Sequence, residues 1–243
     1  MSALQETKRL FLWSGPRNIS TALMYGFASR KDTLVEDEPL YAHYLRLSPA
    51  KPLHPGADEI LSCMENDGDK VVSHMLGTFE KPVAFFKNMT HHLIGLDWSF
   101  MGKGINIILT REPKEMLLSF SKVIEKPAME DIGYAMQWDL LQYLQEHKFP
   151  FLVLDAKKFL QDTEGQLRKL CESCEIPFDP HMLQWEAGPI PEDGVWARYW
   201  YQNVHKSTGF QPYQPKEEAF PEYLLPLLAD CEPLYRKILA FSV

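Results

Sequence analysis

RLFLWSGPRNISTAL, Arg9 to Leu23, is the stretch on which the fold of this chain turns. Leu10 to Trp13 form an unbroken run of bulky uncharged residues, as in a strand buried on both faces of a parallel sheet. Ser14, Gly15, Pro16 and Asn18 follow as turn formers. Ser20 and Thr21 then lead into a helically spaced apolar set, Ala22, Leu23, Tyr25, Gly26 and Phe27. A strand feeding a tight loop and a helix start gathers backbone N–H groups at the positive end of a helix dipole, where an anion is stabilised. The loop is not the triphosphate-binding GxxxxGK[ST], because Ile19 and Ser20 stand where Gly and Lys are required. It offers one cation, Arg17, and two hydroxyls. Arginine is a planar, permanently charged fork that suits phosphate or sulfate oxygens.

Working outward, Thr33 to Val35 reads as a second strand running into Glu36-Asp37-Glu38-Pro39. A short helix is predicted over Tyr41 to Arg46, with helical pieces at Ala57 to Glu65 and Lys70 to Gly77. Val83 to Phe86 is a third strand, with Lys87 at its end and His91-His92 beyond. Adjacent histidines point different ways on a strand or helix, so at most one is expected to face a site. Ile105 to Thr110 is the clearest buried strand, followed at once by Arg111 and by Glu112-Pro113, a good helix start. Ser119 lies eight residues after Arg111, about two turns into that helix. A helix over Ile132 to His147, a strand over Phe151 to Leu154 and a helix over Gln166 to Cys174 complete the alternation. Repeated strand–helix order predicts a doubly wound α/β fold. Right-handed crossovers place the strand carboxyl ends along one edge, so Arg17, Glu38, Lys87 and Arg111 are expected to converge.

At 243 residues, one domain spanning 1–243 is expected, with ample core. The net charge of -8 argues against a nucleic-acid surface and makes the position of each cation informative. Neither a signal-peptide apolar region nor a run long enough to span a membrane is found, and a cytoplasmic protein is expected. Cys171 and Cys174 form a CxxC, but in a helically spaced context with no second cysteine pair, so structural thiols are expected. The region 185–243 reads as an irregular aromatic loop with Trp185, Trp196, Trp200, Tyr201 and Phe210, then a closing helix over Pro221 to Phe241. His205-Lys206-Ser207-Thr208-Gly209 adds donors that could close over a phosphate.

With these residues in view, the chain resembles the cytosolic-type sulfotransferases, whose donor is 3′-phosphoadenosine 5′-phosphosulfate (PAPS). SGPRNIST looks like their 5′-phosphosulfate loop, and ILTREPKEMLLSF looks like their 3′-phosphate motif, with Arg and Ser at the same eight-residue spacing. The tail GPIPEDGVWARYWYQNVHKSTGF looks like a bacterial and plant subgroup whose plant members carry the module fused to aminotransferase-like proteins. The resemblance implies a P-loop-like three-layer α/β/α fold around a mostly parallel sheet of four or five strands. It implies that Arg17 stabilises the leaving phosphate, while Ser14, Gly15, Pro16, Asn18, Ser20 and Thr21 form the 5′-phosphate cradle. Arg111 and Ser119 would bind the 3′-phosphate, and Lys206, Ser207, Thr208 and Gly209 would replace the family's glycine-rich clamp. The Lys-Thr-His segment of the animal enzymes has only Lys87-Asn88-Met89 in its place, with His91 two residues late. Glu38 is therefore the preferred base, His91 the runner-up, and Lys87 an aid at the transferred sulfuryl group. Arg and Lys do the work of a cation, so no metal is implied. The acceptor would be a small molecule with a hydroxyl or amine. The remaining readings are an atypical P-loop kinase and a non-catalytic nucleotide-binding module.

Overall fold

Leu10 to Trp13 lie in β1 (Lys8–Ser14), the middle strand of a sheet described by a computed structural model covering residues 7–49, 51–215 and 218–242. The other strands are β2 (Thr33–Asp37), β3 (Val83–Met89), β4 (Ile105–Thr110) and β5 (Phe151–Asp155). Among the described residues they form one sheet of five, in the order β2-β3-β1-β4-β5, and each adjacent pair is parallel. The helices are α1 (Ser20–Ala28), α2 (Tyr41–Leu47), α3 (Ala57–Cys63), α4 (Gly68–Met75), α5 (Pro113–Phe120) and α6 (Met129–Ile132). After these come α7 (Tyr134–Glu146), α8 (Ala156–Gln161), α9 (Thr163–Ser173), α10 (Ala197–Trp200) and α11 (Leu225–Leu239).

Side chains of β1 alternate between two cores, which makes the fold three-layered. Leu10 and Leu12 join apolar residues of α1, α2, α3 and α9 on one face. Phe11 and Trp13 join those of α4, α7 and Ile238 of α11 on the other. On the first face Phe27 stacks on Phe85 at 4.1 Å between centroids and 13° between planes. Replacing Phe85 with Ala is expected to cost about 3–5 kcal/mol of stability, read as a fall in the urea midpoint with an unchanged slope.

The helix expected over Ile132 to His147 is interrupted. Gly133, at φ 78°, ends α6 and begins α7. The break brings the chain against the first loop: a Cβ on Gly15 would lie 2.9 Å from the carbonyl oxygen of Ile132. β3 also runs three residues past Phe86, to Met89, which carries Lys87 into the sheet. The helix α8, and the start of α9 at Thr163, were not expected from the sequence. Cys171 packs its sulfur 3.8 Å from that of Met182, and burial pushes the Cys174 thiol up to about 12. No helix among the described residues is long and apolar enough to cross a membrane.

Candidate active site

The carboxyl ends of β1, β2, β3 and β4 open into one cavity of about 330 Å³. One wall is the Pro16–Ala22 turn with Arg111 and Ser119. Asn18 shapes that turn: its amide nitrogen donates to the Leu109 carbonyl at 3.0 Å, and its side-chain oxygen accepts from the Ile19 N–H at 2.9 Å. Gln137 of α7 donates to the same Leu109 carbonyl at 3.0 Å, fixing the far side of the loop. α1 has no side-chain cap, so the amides of its first turn are left for a ligand or water. The hydroxyls of Ser20 and Thr21 make no hydrogen bond among the described residues.

Arg17 sits in left-handed backbone, at φ 52°, a conformation that costs a non-glycine residue about 1 kcal/mol or more. The strain is held from α5's side of the cavity. Arg111 Nη1 donates to the Arg17 carbonyl at 2.8 Å, and Arg17 Nε donates to Ser119 Oγ at 3.1 Å. Burial, and then the nearby Arg111 charge, lower the pKa of Arg17 from its usual value. Two guanidiniums held together in a partly buried wall repel each other, and an anion placed between them relieves that repulsion. Arg111 is also held from behind, with Nη2 donating to Glu115 Oε2 at 3.2 Å, while Tyr213 donates to Glu115 Oε1 at 2.5 Å.

The opposite wall holds a buried polar network. Asp37 and Lys87 are register partners across β2 and β3, so their side chains leave the sheet on the same face. Lys87 Nζ donates to Asp37 Oδ1 at 2.9 Å, Glu38 Oε1 at 2.5 Å and Tyr201 Oη at 2.6 Å. An ammonium has three protons, and these partners take all of them. Burial alone would lower the pKa of Lys87, but Asp37 and Glu38 outweigh it and raise it, so the ammonium persists. Glu38 is itself in left-handed backbone, at φ 46°. Its pKa is raised by burial, with Lys87 opposing and the Asp37 charge adding to the rise. Its second oxygen, Oε2, makes no hydrogen bond among the described residues; His92 Nε2 lies 3.9 Å from it, too far for one.

Aromatic rings line the rest. Tyr41 and Tyr44 of α2, with His54, His91 and His92, form a ring cluster at centroid distances of 4.8–5.6 Å. Trp196 meets Tyr41 edge-on at 5.1 Å. Burial lowers His91 to about 3, and His92 falls well below its usual value for the same reason, so both imidazoles are neutral.

From residue 8 to residue 240 the sequence matches the family described as a sulfotransferase domain. The chain belongs to that sulfotransferase family. Two Arabidopsis thaliana proteins, the branched-chain-amino-acid aminotransferase-like proteins 2 and 1, are 43% and 42% identical to it over 225 and 234 residues. Those alignments cover 92% and 96% of this chain but only 40% and 42% of the relatives' own lengths. The sulfotransferase domain of the Synechococcus PCC 7002 olefin synthase superposes with a TM-score of 0.54 at 15% identity, covering 95% of this chain and 96% of that one. A sulfotransferase from Alicyclobacillus acidocaldarius superposes with a TM-score of 0.51 at 10% identity, covering 97% and 95%. Those likenesses show the fold.

Within this sulfotransferase domain the residues singled out from the sequence are placed unevenly. Pro16, Arg17, Asn18, Ser20, Thr21, Glu38, Lys87, His91, Arg111, Ser119, Ser207 and Gly209 line the one cavity. Ser14 and Gly15 are outside the lining, with Ser14 Oγ donating to the Gly15 carbonyl at 2.7 Å. Lys206 and Thr208 are exposed and outside the lining. Ser207 is turned inward and accepts from Trp185 Nε1 at 3.2 Å. Both histidines face the cavity, against the expectation of one, because the tight turn Thr90–Leu93 sets their rings nearly perpendicular, at 89°. Of the three acids ending β2, Glu36 is on the other side of the strand, paired with His74 at 2.7 Å. The three protons of Lys87 are directed to Asp37, Glu38 and Tyr201. The sequence named Tyr201 only as one ring of the aromatic loop, and did not single out Tyr41 and Tyr44, all three of which line the cavity. A buried acid at the apolar-face position of Thr33-Val35-Asp37 was a signal in plain view.

Proposed function

We propose that this chain moves a sulfuryl group from PAPS to a hydroxyl or amine of a small-molecule acceptor. One observation carries the reading. Arg17 and Arg111, 94 residues apart in the sequence, meet on a single wall, Arg111 on the Arg17 carbonyl and Arg17 on Ser119, beside an uncapped helix start. Two cations and a free helix N-terminus make a site for a ligand with two separate anionic groups. A nucleotide phosphorylated at both ends of its ribose is such a ligand.

The donor supplies an activated sulfuryl group on a good leaving phosphate. The protein's part is positioning and charge stabilisation, as in phosphoryl transfer. Ser20, Thr21 and the first amides of α1 hold the 5′-phosphate. Arg17 lies where charge gathers on the bridging oxygen as the S–O bond breaks. Arg111 and Ser119 hold the 3′-phosphate. Glu38 takes the acceptor's proton on Oε2, its uncommitted oxygen. A carboxylate whose pKa is raised by burial is a better proton acceptor near neutral pH than a free one. His91, at about 3, is neutral but a poor base. The neutral, ring-lined end of the cavity receives the acceptor.

Sulfur-labelled PAPS mixed with metabolite pools tests this. Label is expected in a small-molecule product, with one adenosine 3′,5′-bisphosphate released per transfer. Turnover of ATP with magnesium and no sulfate transfer would instead assign the site to a kinase.

A further inference from the structure

The aromatic segment near the C-terminal end of the cavity reaches into the polar network through one hydroxyl. Tyr201 is buried, and its Oη accepts from Lys87 Nζ at 2.6 Å and from Trp196 Nε1 at 3.1 Å. A phenol accepts two hydrogen bonds and donates one. Its acceptor sites are thus filled, and its proton goes to a carboxylate. Asp37 is the nearer, at 2.8 Å to Oδ2 and 2.9 Å to Oδ1, against 3.4 Å to Glu38 Oε1. Asp37 Oδ2 also accepts from the Gly194 N–H at 3.2 Å, so the segment grips this aspartate at two points.

We propose that Tyr201 is a positioning residue for Glu38, which it controls by satisfying Asp37 and fixing Lys87 between the two carboxylates. This rests on Glu38 being the base of the proposed reaction. Other groups around Glu38 are Asp37 at the end of β2, Lys87 from β3, His92 from the turn after β3 and Tyr41 from α2. Lys87 is the cation among them, and it is shared. The phenol proton offsets part of the Asp37 charge that otherwise presses on Glu38. The phenol oxygen keeps the ammonium placed so that Glu38 receives one hydrogen bond and retains a second oxygen. Removing the hydroxyl takes the donor from Asp37, so more of that charge presses on Glu38, and leaves a buried N–H of Lys87 without a partner. The unscreened Asp37 charge makes the ionised form of Glu38 harder to reach.

Tyr201→Phe keeps the ring and deletes the hydroxyl. The acid limb of kcat/KM against pH is expected to move up by about one unit, lowering the rate about tenfold at pH values below the limb. Binding of adenosine 3′,5′-bisphosphate should stay within about twofold, because the opposite wall is untouched. Trp196→Phe, which removes a donor to Tyr201, should move the limb the same way by less. A second readout needs no turnover: the Glu38 carboxyl band, assigned by its loss in Glu38→Gln, is titrated by infrared difference spectroscopy in both backgrounds. An upward shift in Tyr201→Phe supports the inference. An unmoved or lowered titration, with only a drop in melting temperature, overturns it and leaves Tyr201 a packing residue. If the wild-type chain neither binds the bisphosphate nor transfers sulfate, the proposed function fails, and the infrared titration still decides the role of Tyr201.

Discussion

Arg111→Ala is expected to weaken binding of adenosine 3′,5′-bisphosphate by roughly 10- to 100-fold while changing AMP binding far less. The size follows from hydrogen bonds between charged groups, worth about 1.5–3 kcal/mol, and from about 1.4 kcal/mol per tenfold in affinity. Arg111 does two things, and the pair of ligands separates them. It would bind the 3′-phosphate, which AMP lacks. It also donates to the Arg17 carbonyl at 2.8 Å and so supports the strained turn that both ligands need. Loss confined to the bisphosphate assigns the 3′-phosphate to Arg111, whereas equal loss for both reduces Arg111 to a loop support. Glu115→Gln is the complementary arm. Glu115 holds Arg111 at 3.2 Å and carries a negative charge beside any anion bound there. Removing that charge is expected to tighten bisphosphate binding by several fold, with Tyr213 keeping its hydrogen bond to the amide oxygen. Isothermal calorimetry on these proteins, at fixed and stated salt, measures every arm.

That paired readout depends on parts of the site that differ in how openly the sequence shows them. β1 and its loop are legible because a strand buried on both faces needs an uninterrupted apolar run, and Leu10 to Trp13 supply it. Parallel order then places the ends of β1, β2, β3 and β4 on one edge without further information. The convergence of Arg17 with Arg111 follows from that topology. Their contact, from Arg111 to the Arg17 carbonyl, does not, since it depends on Arg17 adopting positive φ, which no residue preference favours. The three acids Glu36, Asp37 and Glu38 illustrate the same limit. Period-two alternation separates Glu36 from Asp37, yet only the register with β3 gives Asp37 its lysine. Tyr201 lies 164 residues from Asp37, in a segment with no regular period, so nothing local announces that its hydroxyl closes the network. Gly133 was equally silent: its role is to let α6 end against Gly15, a contact between distant segments.

Glu38→Gln is expected to lower kcat by about 10²- to 10⁴-fold, the usual contribution of a positioned general base, with bisphosphate affinity nearly unchanged. The substitution suits the question because of the charges around it. Asp37, Lys87 and an ionised Glu38 sum to one negative charge, whereas Asp37, Lys87 and a glutamine sum to zero. No buried charge is left unpaired, and the amide oxygen can still accept from Lys87, so the fold should persist. Lys87→Met would do the opposite, stranding two buried carboxylates, and its loss of activity would say little about chemistry. The pH dependence adds a signature. The folded pKa of Glu38 is raised, so in the wild type the rate should fall as pH drops through that raised value and the carboxylate protonates. In Glu38→Gln the limb should vanish along with most of the rate. His91→Ala is the decisive comparison. The His91 ring is already neutral above about 3 and so has no titration near neutral pH to lose. Should His91→Ala abolish transfer while Glu38→Gln retains it, the base is the imidazole, and the buried Asp37–Lys87–Glu38 set is a structural brace between β2 and β3.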